Sequence, residues 1–170
     1  MAGWNLKCGG MTELNVNEER IWSLFNYVFS DSSRKRNTYK FGLIKALLDN
    51  SFNGKRLEDG VYFLYEELFE RFAENYWNLV VKYDLRQMRK DGKSIYSKVE
   101  SIFYSFLELN PIIGALEFGS IDKDTKKKII AKVTSECKNC VVGALYEDAT
   151  PTIPILAANK VVTFSINFCF

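Results

Sequence analysis

The sequence predicts an all-α fold: a helical bundle of about five helices with a short irregular or β-prone C-terminal tail. Three observations carry this. Apolar residues recur at three- and four-residue spacing in five separate stretches. Short loops carrying Gly, Asn and Asp separate those stretches. The chain has 170 residues and is 47% hydrophobic, enough to bury one substantial core, and it lacks the low-hydrophobicity signature of a disordered chain.

The first helix starts at Asn17, a capping residue followed by Glu18 and Glu19 at the positive end of the dipole. Its face is Ile21, Leu24, Phe25 and Val28, and it ends near Ser30. The second is capped by Asn37 or Thr38 and carries the stripe Phe41, Ile44, Leu47 and Leu48. Asn50 to Gly60 reads as a loop. Val61 to Tyr83 contains no Gly or Pro and reads as the longest helix, with Leu64, Leu68, Phe72 and Tyr76 stepping by four and an acidic outer face of Glu66, Glu67, Glu70 and Glu74. After the Asp91–Ser94 turn, Ser94 is expected to cap a fourth helix with Val99, Ile102, Phe103 and Phe106 inward. Asn110-Pro111 stops it, because the residue before proline avoids helical geometry. Asp122 caps a fifth helix through Lys138, with Ile129, Ile130 and Val133 in the core.

These helices make residues 1–148 one helical domain. Residues 149–170 form an apolar tail with a single charge, Lys160, and two of the chain's three prolines, Pro151 and Pro154. No earlier segment offers it an obvious strand partner. Two readings are open: a strand or extended tail packed over the bundle, or a truncated or non-native end.

Composition excludes several function classes. There are 0 His residues, so no Ser-His-Asp triad, Cys-His dyad or His-ligated metal site can be built from this chain alone. No GxxxxGK[ST] or GxGxxG loop is present to cradle phosphates. Met1 to Met11 has no apolar run of the secretory kind, and no stretch of eighteen apolar residues occurs, which argues against a membrane span and for a cytoplasmic protein with reduced thiols. Cys137 and Cys140 form a CxxC pair, a weak metal-site candidate whose remaining zinc ligands would have to come from Cys8, Cys169 or carboxylates. Two ordinary cysteines near a helix end is the simpler reading, and no cofactor is expected. The acidic stripe, with no histidine beside it, reads as a wet helix face.

The net charge of +2 averages unlike parts. Arg34, Lys35, Arg36, Lys40 and Lys45 fall within twelve residues with no acid among them, and Tyr39 lies beside them. Between Lys82 and Lys98 are Arg86, Arg89, Lys90 and Lys93, against only Asp84 and Asp91, with Trp77, Tyr83 and Tyr96 nearby. Basic side chains grip phosphates and rings stack on bases, so both clusters suit nucleic acid. Helix C-termini also collect Lys and Arg, which is the structural alternative. The Tyr76-Trp77 pair could serve as a stacking platform or belong to the core.

Arg36-Asn-Thr-Tyr-Lys-Phe-Gly-Leu-Ile-Lys-Ala-Leu-Leu-Asp49 resembles the "N-S/T-YK-aliphatic" helix of certain bacterial HNH endonuclease-like proteins. Tyr65-Glu-Glu-Leu-Phe-Glu-Arg-Phe-Ala-Glu-Asn-Tyr-Trp77 resembles a second amphipathic helix of that group, closing on Tyr-Trp. The likeness covers about Asn17 to Asn110. It implies an α-helical N-terminal region, with the HNH nuclease module following it. An HNH module needs histidines and usually two CxxC zinc knuckles, so no catalytic residue is carried over, and this chain is expected to be inactive by itself. The resemblance therefore implies a fragment without its nuclease, expected to bind DNA or a partner protein; the two basic clusters supply Arg34, Lys35, Arg36, Lys40, Arg86, Arg89, Lys90 and Lys93 as the expected phosphate contacts. The alternative is a protein-interaction or homo-oligomerisation domain with no nucleic-acid role, its interface completed by Ile153 to Phe170.

Overall fold

A computed structural model describes residues 18–33, 38–57, 60–87, 96–149, 155–158 and 161–164 of the chain. It contains the five expected α-helices: α1 (Glu18–Phe29), α2 (Tyr39–Asp49), α3 (Tyr65–Trp77), α4 (Lys98–Leu109) and α5 (Lys123–Ala149). Helix α3 packs on both α2 and α5, and α5 meets all four of the other α-helices. The buried face of α3 is Tyr65, Leu68, Phe69, Phe72, Ala73, Tyr76 and Trp77, the step-by-four pattern that the sequence displays. The Tyr76-Trp77 pair is thus core.

Beside the bundle lies a four-stranded antiparallel sheet of order β1-β2-β4-β3, from β1 (Lys55–Leu57), β2 (Gly60–Leu64), β3 (Ile155–Ala158) and β4 (Val161–Phe164). The β-prone tail supplies two of these strands, and its missing partner is β2: Val61 pairs with Phe164 and Leu64 with Val161. The sequence expectation of one helix from Val61 to Tyr83 is corrected accordingly. Gly60-Val-Tyr-Phe-Leu64 is β-branched and aromatic, and cross-strand pairing outweighs the helical spacing there. Residues 50–60, read as a loop, contribute β1.

Helix α3 follows β2 directly. Leu64 at its N-cap is extended (ψ 138°) and makes no side-chain cap, so Glu66 and Glu67 in the first turn meet the helix dipole instead. Its C-terminal end widens into a π turn, Asn78–Lys82, and Asp84 then reverses the chain at φ 47°. Helix α4 opens with a capping box in which the Ser97 hydroxyl accepts from the Glu100 N–H while the Glu100 carboxylate accepts from the Ser97 N–H. Ser94, the expected cap, lies outside the described residues, as does Asn17. Short 3-10 turns, Pro111–Ala115 and Phe118–Ser120, lead to α5, where Asp122 Oδ1 accepts from the Thr125 N–H at 2.9 Å, the cap that the sequence predicts. The helix continues well past Lys138, because Cys137, Val141, Val142 and Leu145 extend the buried stripe of Ile129, Ile130 and Val133.

In α2 the buried face is Tyr39, Lys40, Leu43, Ile44 and Ala46; of the expected stripe Ile44 is buried, Phe41 and Leu47 pack half-buried against the core, and Leu48 is exposed. Gly42 explains the close approach of α2 and α3. A Cβ there would overlap the buried Tyr76 ring, with the hydroxyl oxygen at 2.7 Å and Cζ at 2.8 Å. Gly42→Ala gains helix propensity but overpacks this contact, and is expected to cost about 2 kcal/mol in urea denaturation. A neutral or stabilising result would show that the α2–α3 contact is looser than described.

Candidate nucleic-acid interface

The candidate site is built around a buried polar network where four segments meet. Thr38, at the start of α2, makes no cap bond to its own helix. Its hydroxyl donates to Gln87 Oε1 at 2.7 Å and lies 2.9 Å from the Tyr76 hydroxyl. Gln87 Nε2 donates to the Leu85 carbonyl, which fixes Oε1 as the acceptor. Thr38 has one hydroxyl proton, already given to Gln87, so Tyr76 must donate to Thr38. The Thr38 N–H also donates to the Gln87 carbonyl at 3.3 Å. Thr38 and Gln87, 49 residues apart, are therefore joined through both backbone and side chain.

Glu100 anchors the far side. Only 1% exposed, its Oε1 accepts from the Gln87 N–H at 3.3 Å and its Oε2 from the Ser97 N–H at 2.6 Å. The Tyr39 hydroxyl accepts from the Val99 N–H at 2.8 Å and so ties α2 to the start of α4. Burial pushes the Tyr39 and Tyr76 hydroxyls well above the ordinary phenol range, keeping both neutral and able to donate. A buried network with its members satisfied rigidifies the segments it joins.

The network joins the chain at Thr38 to the chain at Gln87. Arg36 is two residues before Thr38 in the sequence, and Arg89 is two residues after Gln87. Arg34, Lys35, Arg36, Arg89, Lys90 and Lys93 themselves lie outside the described residues. Arg86 is exposed, with its guanidinium 4.5 Å from the centre of the Tyr96 ring, a cation–π contact. Lys40 departs from the expected role: it is buried, and its Nζ donates to Ser33 Oγ at 3.2 Å, so it holds the loop after α1 rather than facing a phosphate. Thr38, Gln87 and Glu100 carry no charge-cluster signal and escape a search for basic patches. The Ser97-x-x-Glu100 spacing is the one sequence mark of this network, as a capping box.

The other candidate chemistry is dispersed. Cys137 and Cys140 lie on one helix, the first buried and the second exposed. Burial, then the neighbouring Cys140 and Glu136, pushes the Cys137 thiol far above its ordinary range, whereas metal ligation and redox chemistry need thiolate. Among the described residues no group of three or more His, Cys, Asp or Glu side chains is placed to hold a metal ion. The acidic stripe is a surface face: Glu66 and Glu67 are exposed, Glu70 pairs with Lys126 at 3.2 Å and Glu74 with Arg71 at 2.7 Å. Among the described residues, no helix is long and apolar enough to cross a membrane. Comparison of the chain with family models, curated proteins and solved structures returns no match.

Proposed function

We propose that the chain is a non-catalytic helical module that binds nucleic acid through its two basic clusters, the role that its likeness to the N-terminal region of HNH endonuclease-like proteins implies. One observation carries this reading: the double hydrogen bond between Thr38 and Gln87 joins the two chain segments from which the clusters extend. On this reading Arg36, two residues before Thr38, and Arg89, two residues after Gln87, belong to one basic surface, and clustered charge raises the local potential in a chain that is nearly neutral overall. Arg34, Lys35, Arg36, Arg86, Arg89, Lys90 and Lys93 are the phosphate contacts. Lys40 holds Ser33, the residue before the first cluster in the sequence.

Fluorescence anisotropy against a labelled DNA in a salt series tests this. Binding is expected to weaken linearly in log salt, because each phosphate contact releases counterions. Arg89→Glu combined with Lys90→Glu should weaken binding equally across sequences, since phosphate contacts carry little sequence information. Absence of binding even at low salt would sink the proposal.

A second reading, docking of a protein partner or of another copy, draws on α1. Trp22 and Phe29 are exposed there, in a ladder of rings running Trp22–Phe25–Phe29–Phe41 with the last pair stacked at 4.8 Å. Light scattering that finds a monomer, unchanged by Trp22→Ala, counts against self-association.

A further inference from the structure

We infer that the outer face of α5, which carries Lys123, Lys127, Lys128 and Lys132, is a phosphate-backbone contact outside both basic clusters; this rests on the nucleic-acid reading above and adds a surface to it. Residues 123–132 hold five lysines against one acid, Asp124. Lys126 is the one that turns back to the bundle, where it pairs with Glu70 of α3 at 3.2 Å. The other four are exposed, and among the described residues none of them has an ion pair. At 3.6 residues per turn, Lys123–Lys127 and Lys128–Lys132 form two rows, each about 6 Å long along the helix axis. The rows adjoin through Lys127 and Lys128, on the side away from the buried Ile129, Ile130 and Val133.

Lysines that stabilise a helix end sit at its C-terminus, where the dipole favours cations. These do the reverse. Lys123 to Lys128 occupy the first two turns of a 27-residue helix, next to its positive end, and the like charges four residues apart repel one another as well. Elsewhere the chain places acids in the first turn, Glu66 and Glu67 in α3 and Glu100 in α4. The lysine face thus works against the stability of its own helix, and a polyanion laid along it removes both penalties. Lysine is a point charge on a flexible stem, suited to phosphates without choice of sequence. The Lys132 ammonium is already placed, 4.8 Å from the centre of the buried Phe106 ring. Among the described residues, none of the large apolar side chains exposed at the surface belongs to α5. A membrane or a protein groove would find only charge to engage there, whereas the phosphate backbone needs nothing else.

The test measures the full chain against a labelled mixed-sequence DNA duplex of about 20 base pairs in a salt series, alongside phosphatidylserine vesicles and polyglutamate. Lys127→Gln combined with Lys128→Gln is expected to lower duplex affinity about tenfold or more at about 0.1 M salt. The slope of log affinity against log salt should fall by about 2, one for each lost contact. The melting temperature should be no lower than that of the parent chain, because the variant relieves the clash with the dipole; lost affinity is then not lost fold. Unchanged duplex affinity and slope overturn the inference, as does a larger loss on the vesicles or on polyglutamate than on the duplex. If either occurs while Arg89→Glu with Lys90→Glu still weakens duplex binding, the nucleic-acid reading stands without α5. A parent chain that binds no duplex even at low salt overturns that reading itself, so the two failures are distinguishable.

Discussion

Trp77→Ala is expected to lower the free energy of unfolding by about 4 kcal/mol, the range for deleting a large buried aromatic. Trp77 is fully buried at the end of α3. Its ring meets Phe103 of α4 edge-on with centres 5.3 Å apart and Phe118 at 5.8 Å. Its Nε1–H donates to the Leu116 carbonyl at 3.2 Å. One side chain thus fastens α3 to α4 and to the connection that leads into α5. Truncation leaves a cavity between three elements and a carbonyl without its donor, and backbone this short of slack cannot collapse to fill it. For a domain of this size the loss corresponds to a fall in Tm of about 12 °C. Trp77→Phe, which keeps most of the ring volume and loses the hydrogen bond, should recover more than half of it. Of the chain's 3 tryptophans, Trp77 should supply the blue-shifted emission, which disappears in the alanine variant. A loss below about 1 kcal/mol in urea denaturation would place Trp77 outside the core.

The helical part of this fold is legible because its signals are local. The Leu68–Phe72–Tyr76 step, the Asn110-Pro111 stop and the Asp122 cap each act within a few residues, and the structure realises all three. The sheet is not legible for the opposite reason. Strand β2 pairs with β4 a hundred residues later, with Val61 opposite Phe164, and nothing near Val61 records that partner. A run such as Val-Tyr-Phe-Leu is then ambiguous between helix and strand until its partner is found. The buried face of α2 has a similar origin. Leu48 reads as core from its spacing and is exposed, whereas the buried Tyr39 and Lys40 are placed by the distant Val99 and by Ser33. At the candidate site, the basic clusters are visible as charge, and the joint between Thr38 and Gln87 is not. That joint depends on one threonine, one glutamine and one glutamate, residue types that are ordinarily exposed.

Glu100 gives the most direct way to separate the scaffold from the ligand contacts. Glu100→Ala removes the acceptor for two buried donors, the Gln87 and Ser97 N–H groups, and half of the α4 capping box. The Ser97 bond is Glu100's half of the capping box, and each of the two orphaned buried donors costs about 1–3 kcal/mol, so about 3 kcal/mol is expected in urea denaturation. Glu100→Gln retains one acceptor oxygen and should lose about half as much. The gentler variant carries the functional test. Gln87 is held by Glu100 on one side and by Thr38 on the other, so Glu100→Gln loosens the joint on which the proposed nucleic-acid reading relies without removing a cation. At a temperature where Glu100→Gln is fully folded, nucleic-acid affinity should fall several-fold while the slope of log affinity against log salt is unchanged, because the number of phosphate contacts is the same. Arg89→Ala should instead reduce that slope by about 1, as a lost phosphate contact does. A changed slope in Glu100→Gln, or an affinity equal to that of the parent chain, would show that the network holds the fold together without positioning the two clusters.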